Sequence, residues 1–183
     1  MRHISIISSS VREGRKSHNV SLYFQNYLIE NKLATTSIID LKEYNFPIFE
    51  STLKLMKNPA GNVIEFADKI KSSDGIIIVT PEYNGGYPAS LKNAIDLLLE
   101  EWKHKPIGIA TVSGGQFGGQ QCMVALQFGR AFDFESIVTL PNPRRNKGAG
   151  VIPVAICLTY GGQVIVSLVT QDVFLQILFI PLT

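Results

Sequence analysis

The sequence predicts an α/β fold, a parallel sheet with helices on both faces, and three observations carry that prediction. Strand-like runs recur at residues 3–8 (HISIIS), 37–41 (SIIDL), 76–79 (IIIV), 107–112 (IGIATV) and 136–140 (SIVTL). Stretches with apolar residues three and four apart lie between them, which is the helical period. The four β-branched residues at 76–79 leave no polar face, as suits a central strand covered on both sides.

Each element follows in order. Residues 3–8 end in a cluster of small polar residues, so the first strand delivers serines at its carboxyl end. Ser17 is placed to cap a helix in which Val20, Tyr23, Phe24, Tyr27, Leu28 and Ile29 share one face. After the second strand, Pro47, Pro59 and Gly61 break residues 42–62 into an irregular crossover. Val63, Ile64, Phe66, Ala67 and Ile70 then form an apolar helical stripe that Asp74 and Gly75 end before the third strand. Ser90 is a candidate cap for a helix through Leu91, Ala94, Ile95, Leu98 and Leu99 toward Trp102, stopped by Pro106. The fourth strand leads into SGGQFGG at 113–119 and a helix from about Gln120 to Ala131, and 136–140 is expected as the fifth strand.

With 183 residues, 45% of them apolar and 17% charged, the chain can bury one continuous core without metals or disulfides. A net charge of +2 lacks the basic excess of a protein that lives on phosphate backbones, so a nucleic-acid partner is not expected. Two cysteines, Cys122 and Cys157, with no CxxC pair, fit a reducing compartment and core packing. Residues 1–10 run from Met1 into a serine cluster with no signal-peptide pattern, so a cytoplasmic location is expected.

In an open parallel sheet, ligands bind beyond the carboxyl ends of the strands, which singles out three loops. Residues 8–17 offer the hydroxyls of Ser8, Ser9 and Ser10, backbone donors ahead of a helix, and the charges of Arg12, Arg15 and Lys16. That combination suits a terminal phosphate, although serines and charges are also what an exposed turn carries. Arg12 comes soonest after the strand end and is the best single charge, whereas Arg15 and Lys16 read more readily as solvated surface. A monophosphate fits better than a pyrophosphate, because neither GxGxxG nor the Walker A pattern occurs.

Residues 81–86 place Glu82, Tyr83 and Asn84 beside a planar ligand while Gly85 and Gly86 allow close backbone approach; a rigid turn with an inward tyrosine is the alternative. Ser113, Gly114 and Gly115 occupy the same position after the next strand, with Gln116 and Phe117 either lining the site or covering a subunit contact. No catalytic side chain emerges. His3, His18 and His104 lack a nucleophile and acid at diagnostic spacing, and HExxH, GxSxG and zinc-ligand spacings are absent. Glu100 and Glu101 read as a charged helix end.

Ser9-Ser10-Val11-Arg12 followed by Ser17 resembles the GSxRxxS phosphate loop of the NAD(P)H-dependent FMN reductase family, flavodoxin-like proteins that include quinone, azo-dye and chromate reductases. Ser9 stands in place of the usual glycine, and two extra residues separate Arg12 from Ser17. The run PEYNGGYPASLKNAID at 81–96 is similar to the family's flavin-ring loop and the helix after it, and SGG at 113–115 with Gly118 and Gly119 resembles its third loop. The resemblance spans roughly residues 2–147.

It implies a flavodoxin-like three-layer sandwich with a five-stranded parallel sheet in the order 2-1-3-4-5. It also implies that Ser9, Ser10, Arg12 and Ser17 hold the FMN phosphate, and that Pro81, Glu82, Tyr83, Asn84, Ser113, Gly114 and Gly115 border the isoalloxazine. The implied activity is an NAD(P)H-dependent flavin oxidoreductase in which bound FMN, reduced by NADPH or NADH, passes electrons to flavin, quinone or a related small-molecule acceptor. A homodimer or a dimer of dimers is the implied assembly. An FMN-binding electron carrier, or an interaction protein that keeps only the fold, is the competing reading.

The last 36 residues depart from that family. All 17 basic residues and 14 of the 15 acidic ones lie at or before Lys147, and Asp172 is the lone charge beyond it. The chain is expected to be a single domain, 1–183, with 148–183 an apolar tail. Residues 151–158 and 164–169 flank Thr159-Tyr160-Gly161-Gly162-Gln163 in a hairpin-like pattern, and 173–180 is a further apolar run. A hairpin packed on the domain or a partner, an aberrant terminus, and a membrane segment over the 24 uncharged residues 148–171 are the three readings.

Overall fold

A computed structural model describes residues 1–114, 119–127, 154–160, 163–166 and 178–181, the last three segments and Gln127 by their backbone. Strands β1 (His3–Ser8), β2 (Thr35–Asp40), β3 (Gly75–Pro81) and β4 (Ile107–Val112) form a parallel sheet in the order 2-1-3-4. Helices α1 (Ser17–Glu30), α2 (Leu41–Tyr44), α3 (Gly61–Ser72), α4 (Ala89–Leu97) and α5 (Gln120–Gln127) connect and cover them. The alternating pattern predicts the parallel sheet with its covering helices, and the strand order is the flavodoxin-like one that the family resemblance implies.

Successive residues of β1 show how the layers arise. Ile7 points into a core shared with Ile39, Ile76, Ile78 and Ile109, where α3 contributes Val63, Phe66 and Ile70, and α4 contributes Leu91, Ala94 and Ile95. Ile6 points the other way, onto Val79, Ala110 and Val112, and α1 closes that face with Phe24 and Leu28. Trp102, in a 3-10 turn after α4, is buried edge-on to Phe66 at 6.0 Å and donates its indole N–H to the carbonyl of Ile95 at 3.1 Å.

Three local expectations change. Ser17 does not cap α1: Lys16 precedes the helix in an αR conformation without a side-chain cap, and Ser17 is the first, buried helical residue. Tyr23 and Ile29 lie outside the packed face of α1, which is narrower than the sequence stripe, and both are exposed. Ser90 does not cap α4 either, because its hydroxyl donates to the Ser9 carbonyl at 2.7 Å; tertiary contact takes the group that local capping would have used.

The crossover at 42–62 is irregular apart from α2 and the 3-10 turn Leu53–Leu55. The expected fifth strand at 136–140 lies outside the described residues. Beside β4 runs an antiparallel strand, β5 (Val154–Tyr160), with Ile109 opposite Cys157. It turns into β6 (Gln163–Val166), with Tyr160 opposite Gln163, and β7 (Leu178–Pro181) pairs with β6. The backbone thus adds a hairpin to the sheet edge, where strand pairing satisfies the N–H and C=O groups that an open edge would leave unpaired. No helix among the described residues is long and apolar enough to cross a membrane.

Candidate functional site

The parallel register brings the three loops singled out by the sequence to one edge of the sheet. Ser8 lies opposite Val79, and Pro81 lies opposite Val112, so the first, third and fourth strands end side by side. Backbone bonds extend the ladder into the loops: Ser9 N–H donates to the Val79 carbonyl at 3.1 Å, and Glu82 N–H to the Val112 carbonyl at 3.2 Å. Chain entry into the loops is therefore fixed by the sheet rather than by the loops themselves.

In the first loop, Ser9 and Ser10 are buried and Arg12 is exposed. The Ser9 hydroxyl is buried with no hydrogen-bond partner among the described residues, an arrangement that costs stability unless a ligand or solvent answers it. The Ser10 hydroxyl pairs with the Tyr83 hydroxyl at 2.8 Å, and the Arg12 guanidinium stands 5.9 Å from the centre of the Tyr83 ring. Tyr83 thus meets the first loop through both its hydroxyl and its ring face.

The second loop is a tight hairpin. Tyr83 and Gly86 exchange both backbone bonds, at 2.8 and 3.0 Å, and Asn84 and Gly85 have φ of 50° and 78°. Positive φ at both central positions is what a type I′ turn requires, and Asn-Gly is its preferred pair. A Cβ on Gly85 would lie 2.6 Å from the Gln121 amide oxygen, which places the start of α5 against the turn. Glu82 reaches the same helix: its carboxylate accepts the Cys122 N–H at 3.3 Å. Pro81 ends β3, buried, with its carbonyl 3.7 Å from the Cys122 sulfur. Asn84 is exposed at the tip.

In the third loop Ser113 is half-buried, Gly114 is exposed with no described atom within 4 Å of where a Cβ would stand, and Gly115 lies outside the described residues with Gln116 and Phe117. Gly119, with φ of 85°, passes so close to β4 that a Cβ would lie 2.8 Å from the Thr111 Cβ.

Sequence reasoning missed an ion-pair cluster beside the first loop. Arg15, read as surface, is mostly buried and forks onto Asp40, and one of its amino groups also donates to the Ser10 carbonyl at 2.6 Å. His18 Nδ1 lies 3.0 Å from the Ser8 hydroxyl and 3.6 Å from the Asp40 carboxylate. Burial alone would raise the Asp40 pKa, but hydrogen bonds from Arg15 and the Lys42 N–H, with the charges of Arg15 and His18, hold the carboxyl below its ordinary value. The one signal in the sequence is that the second strand ends in Asp40; its closeness to the loop follows from pairing Ser8 with Asp40, which strand order decides.

Comparison with known proteins matches this arrangement. Residues 2–133 match the family model described as NADPH-dependent FMN reductase. The NAD(P)H-dependent FMN reductase LOT6 of Saccharomyces cerevisiae is 36% identical over 138 residues, covering 68% of this chain and 71% of that protein. A quinone reductase of Escherichia coli K12 is 36% identical over 98 residues, covering 51% of this chain and 50% of its own length. Among solved structures, the flavoenzyme NAD(P)H:(acceptor) oxidoreductase FerB of Paracoccus denitrificans superposes with a TM-score of 0.58 at 25% identity, covering 69% of each chain. Fold and sequence agree: the chain belongs to the NADPH-dependent FMN reductase family of flavin oxidoreductases.

Proposed function

We propose that the sheet edge formed by residues 8–17, 81–84 and 113–114 binds FMN, and that the protein uses NADPH or NADH to reduce it and pass electrons to a small acceptor such as flavin or quinone. The observation that carries this reading is a buried Ser9 hydroxyl with no hydrogen-bond partner among the described residues, with Ser10 and Arg12 meeting Tyr83 of the next loop beside it. Hydroxyls, loop N–H groups and one guanidinium at the entrance to α1 match the donor set of a phosphate monoester. Ser9, Ser10, Arg12 and Ser17 would hold that phosphate. Pro81, Glu82, Tyr83, Asn84, Ser113 and Gly114 would border the ring.

FMN when bound supplies the hydride and electron chemistry, so the protein needs no acid or base of its own for that transfer. Its part is orientation. The I′ turn presents backbone groups of residues 82–84 in one geometry, and no described residue crowds Gly114, so a flat ligand would approach the backbone there. Glu82, held by α5, braces the turn.

The same reading takes the protein as a single cytoplasmic domain over residues 1–183 that assembles as a homodimer or a dimer of dimers. The free, buried Cys122 and the exposed apolar Ile48, Phe49 and Leu55 of the crossover support it. An anaerobic FMN titration followed by NADPH and NADH tests the function. Saturable uptake of flavin and bleaching of its yellow absorbance by either nucleotide are expected. Bound flavin that neither nucleotide bleaches would leave an electron carrier, and no uptake would overturn the site.

A further inference from the structure

We propose that Arg15 is a positioning residue for the phosphate end of the flavin, acting by holding the first loop in shape and by neutralising Asp40; the inference rests on the FMN reading above.

The geometry separates Arg15 from Arg12. Arg12 is exposed over the Tyr83 ring, free to meet an incoming anion. Arg15 has its guanidinium turned inward, with 14% of the side chain exposed, and its fork is spent on the two oxygens of Asp40. The amino group that bonds Asp40 Oδ1 at 2.5 Å also bonds the Ser10 carbonyl at 2.6 Å. One planar cation therefore ties the end of β2 to the residue whose hydroxyl faces Tyr83. Lysine, with a single ammonium, cannot reproduce that fork.

The pairing also solves an electrostatic problem built into the strand order. Asp40 ends β2 opposite Ser8, so a carboxylate sits at the root of the loop that is to receive a phosphate. Its oxygens are taken up by Arg15 and by the Lys42 N–H at 3.0 Å, and His18 faces it at 3.6 Å from α1. Without the guanidinium, an uncompensated negative charge would face the ligand's own, and the Ser10 carbonyl would lose its anchor.

The test compares FMN with riboflavin, which has the same ring and lacks the phosphate, by fluorescence titration of the intact chain. Wild type is expected to prefer FMN. Arg15→Gln is expected to bind FMN about ten-fold more weakly while riboflavin binding stays unchanged, because the Asp40 charge would then face the phosphate uncompensated. Arg15→Gln combined with Asp40→Asn removes the opposing charge as well, and recovery of FMN affinity relative to Arg15→Gln alone is expected. Should Arg15→Gln not fold, Arg15→Lys carries the same comparison, with a reduced FMN-to-riboflavin ratio expected. An unchanged ratio, or equal losses for both ligands, would overturn the positioning role and leave the FMN site standing. A wild-type chain that does not distinguish the two ligands would overturn both.

Discussion

The Ser10 and Tyr83 hydroxyls, 73 residues apart in the chain, lie 2.8 Å from one another and join the loop after β1 to the loop after β3. With Ser90 donating to the Ser9 carbonyl at 2.7 Å, two side chains from the PEYNGGYPAS segment pin two consecutive residues of the serine loop. The Tyr83 hydroxyl is directed at the serine loop. The loops after β1 and β3 are thus mechanically one unit, and a change in either is felt by the other.

Arg12→Ala should separate ligand binding from stability. The side chain is exposed and carries no ion pair among the described residues, so the unfolding midpoint is expected to move little. Loss of a charge-assisted phosphate contact, about 2 kcal/mol, corresponds to roughly thirty-fold weaker FMN binding. Titration of FMN into the purified variant checks it, and wild-type affinity would remove Arg12 from the site.

Gly114→Leu should do the same at the ring end. Among the described residues no atom lies within 4 Å of the position a Cβ would take, so they leave room for the side chain. Unchanged thermal stability with weakened flavin binding is the expected pair of results. Unchanged flavin affinity and turnover would show that the ring does not pass over Gly114.

Gly119→Ala and Gly85→Ala form a ranked pair. Both positions have positive φ, which by itself costs an alanine about 1 kcal/mol. At Gly85 the new methyl meets the end of the Gln121 side chain, which can swing away. At Gly119 it meets Thr111 at 2.8 Å, a residue of strand β4 buried in the sheet. Urea unfolding should therefore find Gly119→Ala the more destabilising, and the reverse order would contradict the close packing of this turn on β4.

Cys122 should resist chemistry that free thiols undergo. Burial, with a smaller contribution from the Glu82 charge, pushes its pKa up to about 12, against a weaker opposing hydrogen bond with Thr80. At pH 8, iodoacetamide followed by peptide mapping is expected to find Cys122 unmodified in the folded protein and modified after denaturation. Above pH 9 the unfolded chain gives up this proton while the folded one keeps it, so Cys122 contributes a loss of stability between pH 9 and 12. Rapid labelling of the native thiol would contradict the burial.

Much of the framework was legible in the residues themselves. The β-branched runs mark β1, β3 and β4 to within two residues because a strand covered on both faces admits little else, and Asn84-Gly85 marks the turn because few other pairs tolerate two positive φ values in succession. Local spacing does not show that the Ser90 hydroxyl is drawn to Ser9 in another element, nor that α1 starts at Ser17 itself rather than after it.

By itself, then, the sequence determined the alternation of strands and helices, the three polar loops, and the residue types that suit a terminal phosphate and a planar ligand, since periodicity and turn chemistry are properties of neighbouring residues. Tertiary structure alone decided that Asp40 comes beside Ser8, that Arg15 turns inward to meet it, and that Tyr83 reaches Ser10. Those contacts depend on strand order and register, which bring together residues far apart in the chain, and a low-dielectric setting then makes an ion pair of side chains that look like surface charges when read one at a time.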